Sequence, residues 1–181
     1  MKTNSKQSKL SLITALLFIG SLSLSCSSEE PVIEEEGETP VEVISLEEQI
    51  ALLTAATAKY ADVQTALDEG FVQQGPYVPN KGLHYMKMSR LDRTFNVEEP
   101  EILLYVPDGN GGMDFVAVEF AYTLPSSQPT GFTGDQDVWA QNMMIGPTGA
   151  WSLHAWVGVE NPNGFFTAAN PSIPSTNPAT K

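Results

Sequence analysis

Three consecutive pieces decide the fold: Glu101-Ile-Leu-Leu-Tyr-Val106, then Pro107-Asp-Gly-Asn-Gly-Gly112, then Met113-Asp-Phe-Val-Ala-Val-Glu-Phe-Ala-Tyr122. The outer two are rich in β-branched and aromatic residues. The middle one is built from Gly, Asn and Asp, which accept the positive φ of tight hairpin turns. The pattern predicts an antiparallel hairpin. Its second run is apolar from Phe115 to Tyr122 apart from Glu119. A carboxylate inside such a run needs a partner, hydrogen-bond donors or an exposed edge, because burying it alone is costly.

On either side of the hairpin the chain is punctuated by Pro and Gly, with short β-rich runs between turns. Leu83–Met88 reads as one strand, and Trp151–Val159, which ends at Asn161-Pro-Asn-Gly164, as another. Residues Pro125–Pro147 have no clear period and read as a long ordered loop, a length more often functional than idle. The tail after Asn170 reads as irregular. Before the sheet, Leu46–Glu69 contains no Pro or Gly, and Leu46, Ile50, Leu53, Tyr60, Val63 and Leu67 form one apolar stripe. Ser45 and Glu48 have the spacing of a capping box, and Gly70 stands where a helix ends in a left-handed residue. The fold class expected is α+β: one N-terminal helix packed on a small antiparallel sheet with long loops, residues 45–181 forming a single domain.

The chain of 181 residues carries 22 acidic and 9 basic residues, a formal charge of −13. Such a charge repels phosphate backbones and argues against nucleic acid as a partner. The one cysteine allows no internal disulfide and no Cys-rich metal site. Lys2, Lys6 and Lys9 precede the apolar run Leu10–Leu24, and small residues follow it, which is the pattern of a signal peptide over residues 1–25. The run is 15 residues long, short of the about 20 that span a bilayer core. Ser25-Cys26 at its end resembles the lipobox of bacterial lipoproteins, with Ser23 where an aliphatic residue is usual. That resemblance implies acylation of Cys26 and attachment to a membrane, expected to be the outer membrane of the cell envelope. Residues 26–44 are acidic and Pro-punctuated and read as a disordered tether. Ser27-Ser-Glu-Glu30 also resembles the acidic export signal of some Bacteroidetes surface lipoproteins; a plain solvated linker is the alternative. Residues 1–25 hold three lysines and no acid, so a chain starting at Cys26 carries 22 acids against 6 bases.

No catalytic motif is present: no Gly-x-Ser-x-Gly, no phosphate loop, no His-Glu-x-x-His. No catalytic residue is therefore assigned. Asp108, Asn110, Asp114 and Glu119 fall on positions 1, 3, 7 and 12 of a calcium loop, but Met113 replaces the turn glycine and the flanks are strands, so the segment reads as a plain hairpin. The two histidines are both mid-strand on this reading. By alternation His84 shares a face with Met86 and Met88, and His154 with Ser152 and Trp156. His84, Glu119 and His154 together would make a two-histidine, one-carboxylate site for a divalent transition metal such as zinc, iron or manganese. Met86, Met88, Met143 and Met144 would add soft ligands and favour copper. The bland alternative is that strand histidines are structural and methionines fill core. Tyr85 and Trp156 are the candidate ligand-binding aromatics, beside Trp139, Trp151, Phe165 and Phe166, with core packing as the alternative.

Several short pieces form a joint resemblance: Tyr60-Ala-Asp-Val with Ala66-Leu-Asp-Glu-Gly-Phe, Gly82-Leu-His-Tyr, Pro100-Glu-Ile-Leu-Leu-Tyr, Val116-Ala-Val-Glu-Phe, Leu153-His-Ala-Trp, Asn161-Pro-Asn-Gly-Phe-Phe and Asn170-Pro. Over Tyr60–Pro171 the chain resembles a family of bacterial secreted proteins and lipoproteins of unassigned function. The family pattern contains the residues matched by His84, Glu119 and His154. It often ends in a cysteine where this chain has Ile173-Pro174. No activity is implied by it. Two function classes stay open: a lipid-anchored module that binds an unspecified small molecule or protein, and a metal-binding protein or small metalloenzyme using the His/Glu trio.

Overall fold

The computed structural model describes residues 44–180; the signal segment, Cys26 and the tether up to residue 43 lie outside them. Two short helices, α1 (Leu46–Thr57) and α2 (Val63–Asp68), precede six strands: β1 (Val72–Val78), β2 (Gly82–Met86), β3 (Ile102–Pro107), β4 (Met113–Thr123), β5 (Ala140–Asn142) and β6 (Ala150–Ala155). The strands form one sheet in the order β1-β2-β3-β4-β6-β5, with every neighbouring pair antiparallel. The architecture is α+β, and mostly sheet. Among the described residues no helix is long and apolar enough to cross a membrane.

The hairpin lies at the centre, as β3 and β4. Asp108 accepts from the backbone N–H groups of Asn110 and Gly112 at 2.7 and 2.9 Å, so its carboxylate is used by the turn itself. The capping box forms as expected: the Glu48 amide donates to the Ser45 hydroxyl at 3.2 Å and the Ser45 amide to the Glu48 carboxylate at 2.8 Å. Gly70 has φ +88°.

The single helix expected over Leu46–Glu69 is instead broken, through a 3-10 turn at Ala58–Ala61 and an extended residue at Asp62. A continuous helix would bond the Gln64 amide to the Tyr60 carbonyl. Both groups are diverted. The buried Tyr105 hydroxyl donates to the Tyr60 carbonyl at 2.8 Å, and the Asp62 carboxylate caps the Gln64 amide at 2.9 Å. The apolar phase shifts with the break, so Ala66 is buried and Leu67 exposed.

One strand was not expected and two expectations need correction. β1 has no apolar alternation to reveal it: Val72-Gln-Gln-Gly-Pro-Tyr-Val78 is an edge strand whose register breaks between Gln74 and Val78, around Gly75-Pro76. The loop over Pro125–Pro147 contains β5, whose three residues extend the opposite edge. The last strand stops at Ala155 rather than Val159, because the Trp156 amide donates to the Phe165 carbonyl and the Gly158 amide to Val116.

That last contact meets a bulge in β4. Leu104 pairs with Ala117 and Tyr105 with Phe115, which leaves Val116 as an extra residue. A Cβ on Gly158 would run into the Phe115 carbonyl, so only glycine allows the approach. The sheet is apolar on both faces. One face packs on the helices through Leu83, Tyr85, Leu103, Tyr105, Val118, Phe120 and Leu153. The other carries Met86, Ile102, Leu104, Ala117, Ala121 and Trp156, and it is the face that holds the candidate site.

Candidate metal centre

His84 comes from β2, Glu119 from β4 and His154 from β6. Glu119 sits directly opposite His154 in the β4–β6 ladder. His84 pairs with Leu104, and Leu104 with Ala117, two residues before Glu119 on the same face. The bulge makes this possible. Strict alternation would put Glu119 on the face of Phe115, among the residues packed on the helices; one extra residue reverses the phase beyond it. Val116 and Ala117 accordingly both belong to the second cluster, and Glu119 turns toward the histidines.

One ligand atom from each of the three residues lies within 4.8 Å of the others. His84 Nε2 is 3.6 Å from a Glu119 oxygen, and His154 Nδ1 is 3.8 Å from the other. The imidazole planes are nearly perpendicular, at 86°. The side chains are 15%, 2% and 4% exposed for His84, Glu119 and His154, so the centre is buried, with His84 the most exposed of the three. Burial pushes the His84 imidazole below its usual range, against the opposing pull of the Glu119 carboxylate. Burial holds the His154 imidazole down to about 3. Both rings are thus neutral near pH 7 and keep a lone pair for a ligand.

The separations are informative. At 3.6 and 3.8 Å they are too long for N–H···O hydrogen bonds. Two donors each about 2.1 Å from one ion at a tetrahedral angle lie roughly 3.4 Å apart, close to the two histidine–carboxylate separations; the trio as a whole spans up to 4.8 Å, so the two imidazoles would draw together around an ion. His154 Nε2 is buried with no hydrogen-bond partner among the described residues. It is Nδ1 that faces Glu119, so Nε2 is the other ring nitrogen, and leaving it unmatched costs about 1–3 kcal/mol. Trp156 lies nearly parallel to His154, at 18° between planes, with its indole N–H tied to the Thr167 carbonyl at 2.6 Å. The two ring centroids are 6.2 Å apart.

The methionine expectation fails for three of its four residues. Met88 leaves the strand for a 3-10 turn at Met88–Arg90, and Met88, Met143 and Met144 are exposed while the trio is buried. Only Met86 shares the face. The donor set left at the centre is nitrogen and oxygen, so copper loses its support. Tyr85 and Trp156 do not line one groove, because they occupy opposite faces of the sheet. Tyr85 is core on the helix side, edge-on to Tyr105 at 5.2 Å. Trp139 and Phe166 are also buried in that core.

One residue escaped sequence reasoning. Glu101 is only 3% exposed; its carboxylate accepts the Ala121 amide at 2.8 Å, and no cation pairs with it among the described residues. Burial raises its pKa to about 8, against the lowering effect of that hydrogen bond. It borders a cavity of about 370 Å³ that also touches Lys87, Arg90 and Asp92. The available signal was an acid opening a six-residue apolar run. A larger cavity, about 780 Å³, lies between the end of α1, the β3–β4 hairpin and residues 172–174, and touches none of the trio.

No protein-family model, no curated protein and no solved structure matches the chain.

Because Glu101 holds its proton in the folded chain up to about pH 8, whereas an unfolded carboxyl releases it near 4.5, its contribution to stability is full below 4.5 and is lost as pH rises through 8. Glu101→Gln keeps the acceptor for Ala121 without a charge. Its melting temperature should match the parent near pH 4 and exceed it by several degrees at pH 9. A gap that does not widen with pH would mean that Glu101 is ionised in the fold.

Proposed function

We propose that this chain is a lipid-anchored cell-envelope protein whose sheet binds one divalent transition-metal ion through His84, Glu119 and His154. The observation that carries the reading is the convergence of two neutral imidazoles and a buried carboxylate from three strands, at separations suited to shared ligation and unsuited to hydrogen bonding. Nitrogen and oxygen donors suit zinc, iron(II) or manganese(II). Three protein ligands leave at least one coordination position for an exogenous group. The wider reading, a tethered ligand-binding domain, keeps its form, with the metal as the ligand. The anchor half of the proposal rests on the lipobox-like Ser25-Cys26 and the acidic stretch that follows.

Elemental analysis of the purified chain after incubation with zinc, iron(II) or manganese(II) should find close to one equivalent of one of them. The melting temperature should rise with metal. His84→Ala and His154→Ala should each weaken binding by more than the roughly 10–100-fold typical of outer-shell losses, with circular dichroism confirming that the sheet persists. Absence of stoichiometric metal from the parent, or full retention by both folded variants, would overturn the reading.

For the anchor, Cys26→Ser should move the protein from the membrane fraction to the supernatant on cell fractionation. Continued retention in the membrane would contradict acylation at Cys26.

A further inference from the structure

The connection from β2 to β3 is a closed loop. The Lys87 amide donates to the Glu101 carbonyl at 2.9 Å, which ties its two ends together. The Thr123 amide and hydroxyl donate to the Asp92 carbonyl at 2.8 and 3.0 Å, which ties its middle to the end of β4. Phe95 packs on Phe120, Phe132 and Trp139, and Val97 joins the same core. The alternate residues Thr94 and Asn96 line the cavity of about 370 Å³ instead. Every residue that lines this cavity lies between Lys87 and Glu101, and every one has a polar or charged side chain. A volume above about 300 Å³ is enough for a small ligand.

Charge is layered within it. Glu101 is 3% exposed and the Arg90 side chain 15%. The Arg90 guanidinium lies over the Phe71 ring at 5.3 Å and donates to the carbonyl of Pro100, the residue before Glu101, at 2.9 Å. That bond uses one of its five N–H donors. Glu101 accepts the Ala121 amide, and burial keeps its carboxyl neutral up to about pH 8, so it also carries an O–H. Among the described residues no other residue accepts that hydrogen. The Lys87 ammonium turns to Glu69, at 4.0 Å. The two carboxylates of the cavity stand further out: Asp92 is exposed, and the Glu99 side chain is 57% exposed. Asp92 accepts the Thr94 amide and Glu99 the Asn96 side-chain amide, each through one oxygen, which leaves the second oxygen of each without a hydrogen bond. The floor thus offers N–H and O–H donors beside a positive charge, and the rim offers two negative charges.

We propose that this cavity binds a small zwitterion of the amino-acid kind, with its carboxylate on Glu101 and Arg90 and its ammonium between Asp92 and Glu99. A carboxylate alone would satisfy the floor but face repulsion at the rim. An ammonium alone would leave the floor donors unmatched. A ligand carrying both charges meets both layers, and discrimination comes from the penalty each half-ligand incurs. The site is separate from the metal centre, since none of the His/Glu trio lines it.

Calorimetric titration of the purified chain near neutral pH with glycine, acetate and methylammonium tests the proposal. Glycine should bind one to one with a Kd of about 1 mM or tighter, and each half-ligand about tenfold or more weakly. The double variant Asp92→Asn, Glu99→Gln alters only exposed side chains and keeps their acceptor oxygens. It should weaken glycine about tenfold and strengthen acetate. Glu101→Leu removes the floor donor and should abolish glycine binding; where that variant does not fold, the rim pair decides. No binding of glycine, acetate or methylammonium as tight as glycine, unchanged glycine affinity in the rim pair, or glycine retained by folded Glu101→Leu would each overturn the proposal.

Discussion

A carboxylate in the middle of a central strand has to be compensated, and the arrangement around Glu119 follows from that constraint. A lone charge in an apolar interior costs several kcal/mol. Here two imidazoles face it, neutral and too far away for a direct hydrogen bond. In the metal reading proposed above, the compensation is a positive charge between the three. The bulge at Val116 aims Glu119 at the histidines, the β4–β6 register sets His154 opposite it, and Trp156 lies nearly parallel to the His154 ring on the same face. Each of these would be gratuitous if Glu119 pointed into solvent.

The second buried acid makes a useful contrast. Glu101 is as inaccessible as Glu119, yet it has a backbone donor within bonding distance and no imidazole beside it. It meets the cost of burial by keeping its proton. Glu119 instead faces two neutral imidazoles at 3.6 and 3.8 Å, each with one N–H and one lone pair, and neither bonds it directly.

The central hairpin, the capping box, the left-handed Gly70 and the alternation around His84 and His154 were all legible in the sequence, because each depends on neighbours a few residues away. The trio was legible as a set of residue types but not as a site, since its convergence depends on strand order and on a bulge that leaves no mark in the residue pattern. Counting in twos from Phe115 puts Glu119 on the wrong face. The break at Asp62 was hidden for a related reason: the Tyr105 hydroxyl that takes the Tyr60 carbonyl is 45 residues away. β1 was missed because an edge strand need not alternate. Tyr85 was named as a groove aromatic from its residue type alone, and its place in the core depends on which face of the sheet the helices cover.

Part of the acidity that first describes the chain lies before the described residues, with seven acids between Glu29 and Glu42. The central claim, a metal shared by three strands, is tested most directly by anomalous diffraction from crystals grown with zinc, recorded on both sides of its absorption edge. A single strong peak within about 2.2 Å of ligand atoms from His84, Glu119 and His154 is the result predicted. A crystal with zinc bound elsewhere and a water molecule bridging the trio at about 2.7–3.2 Å would contradict it.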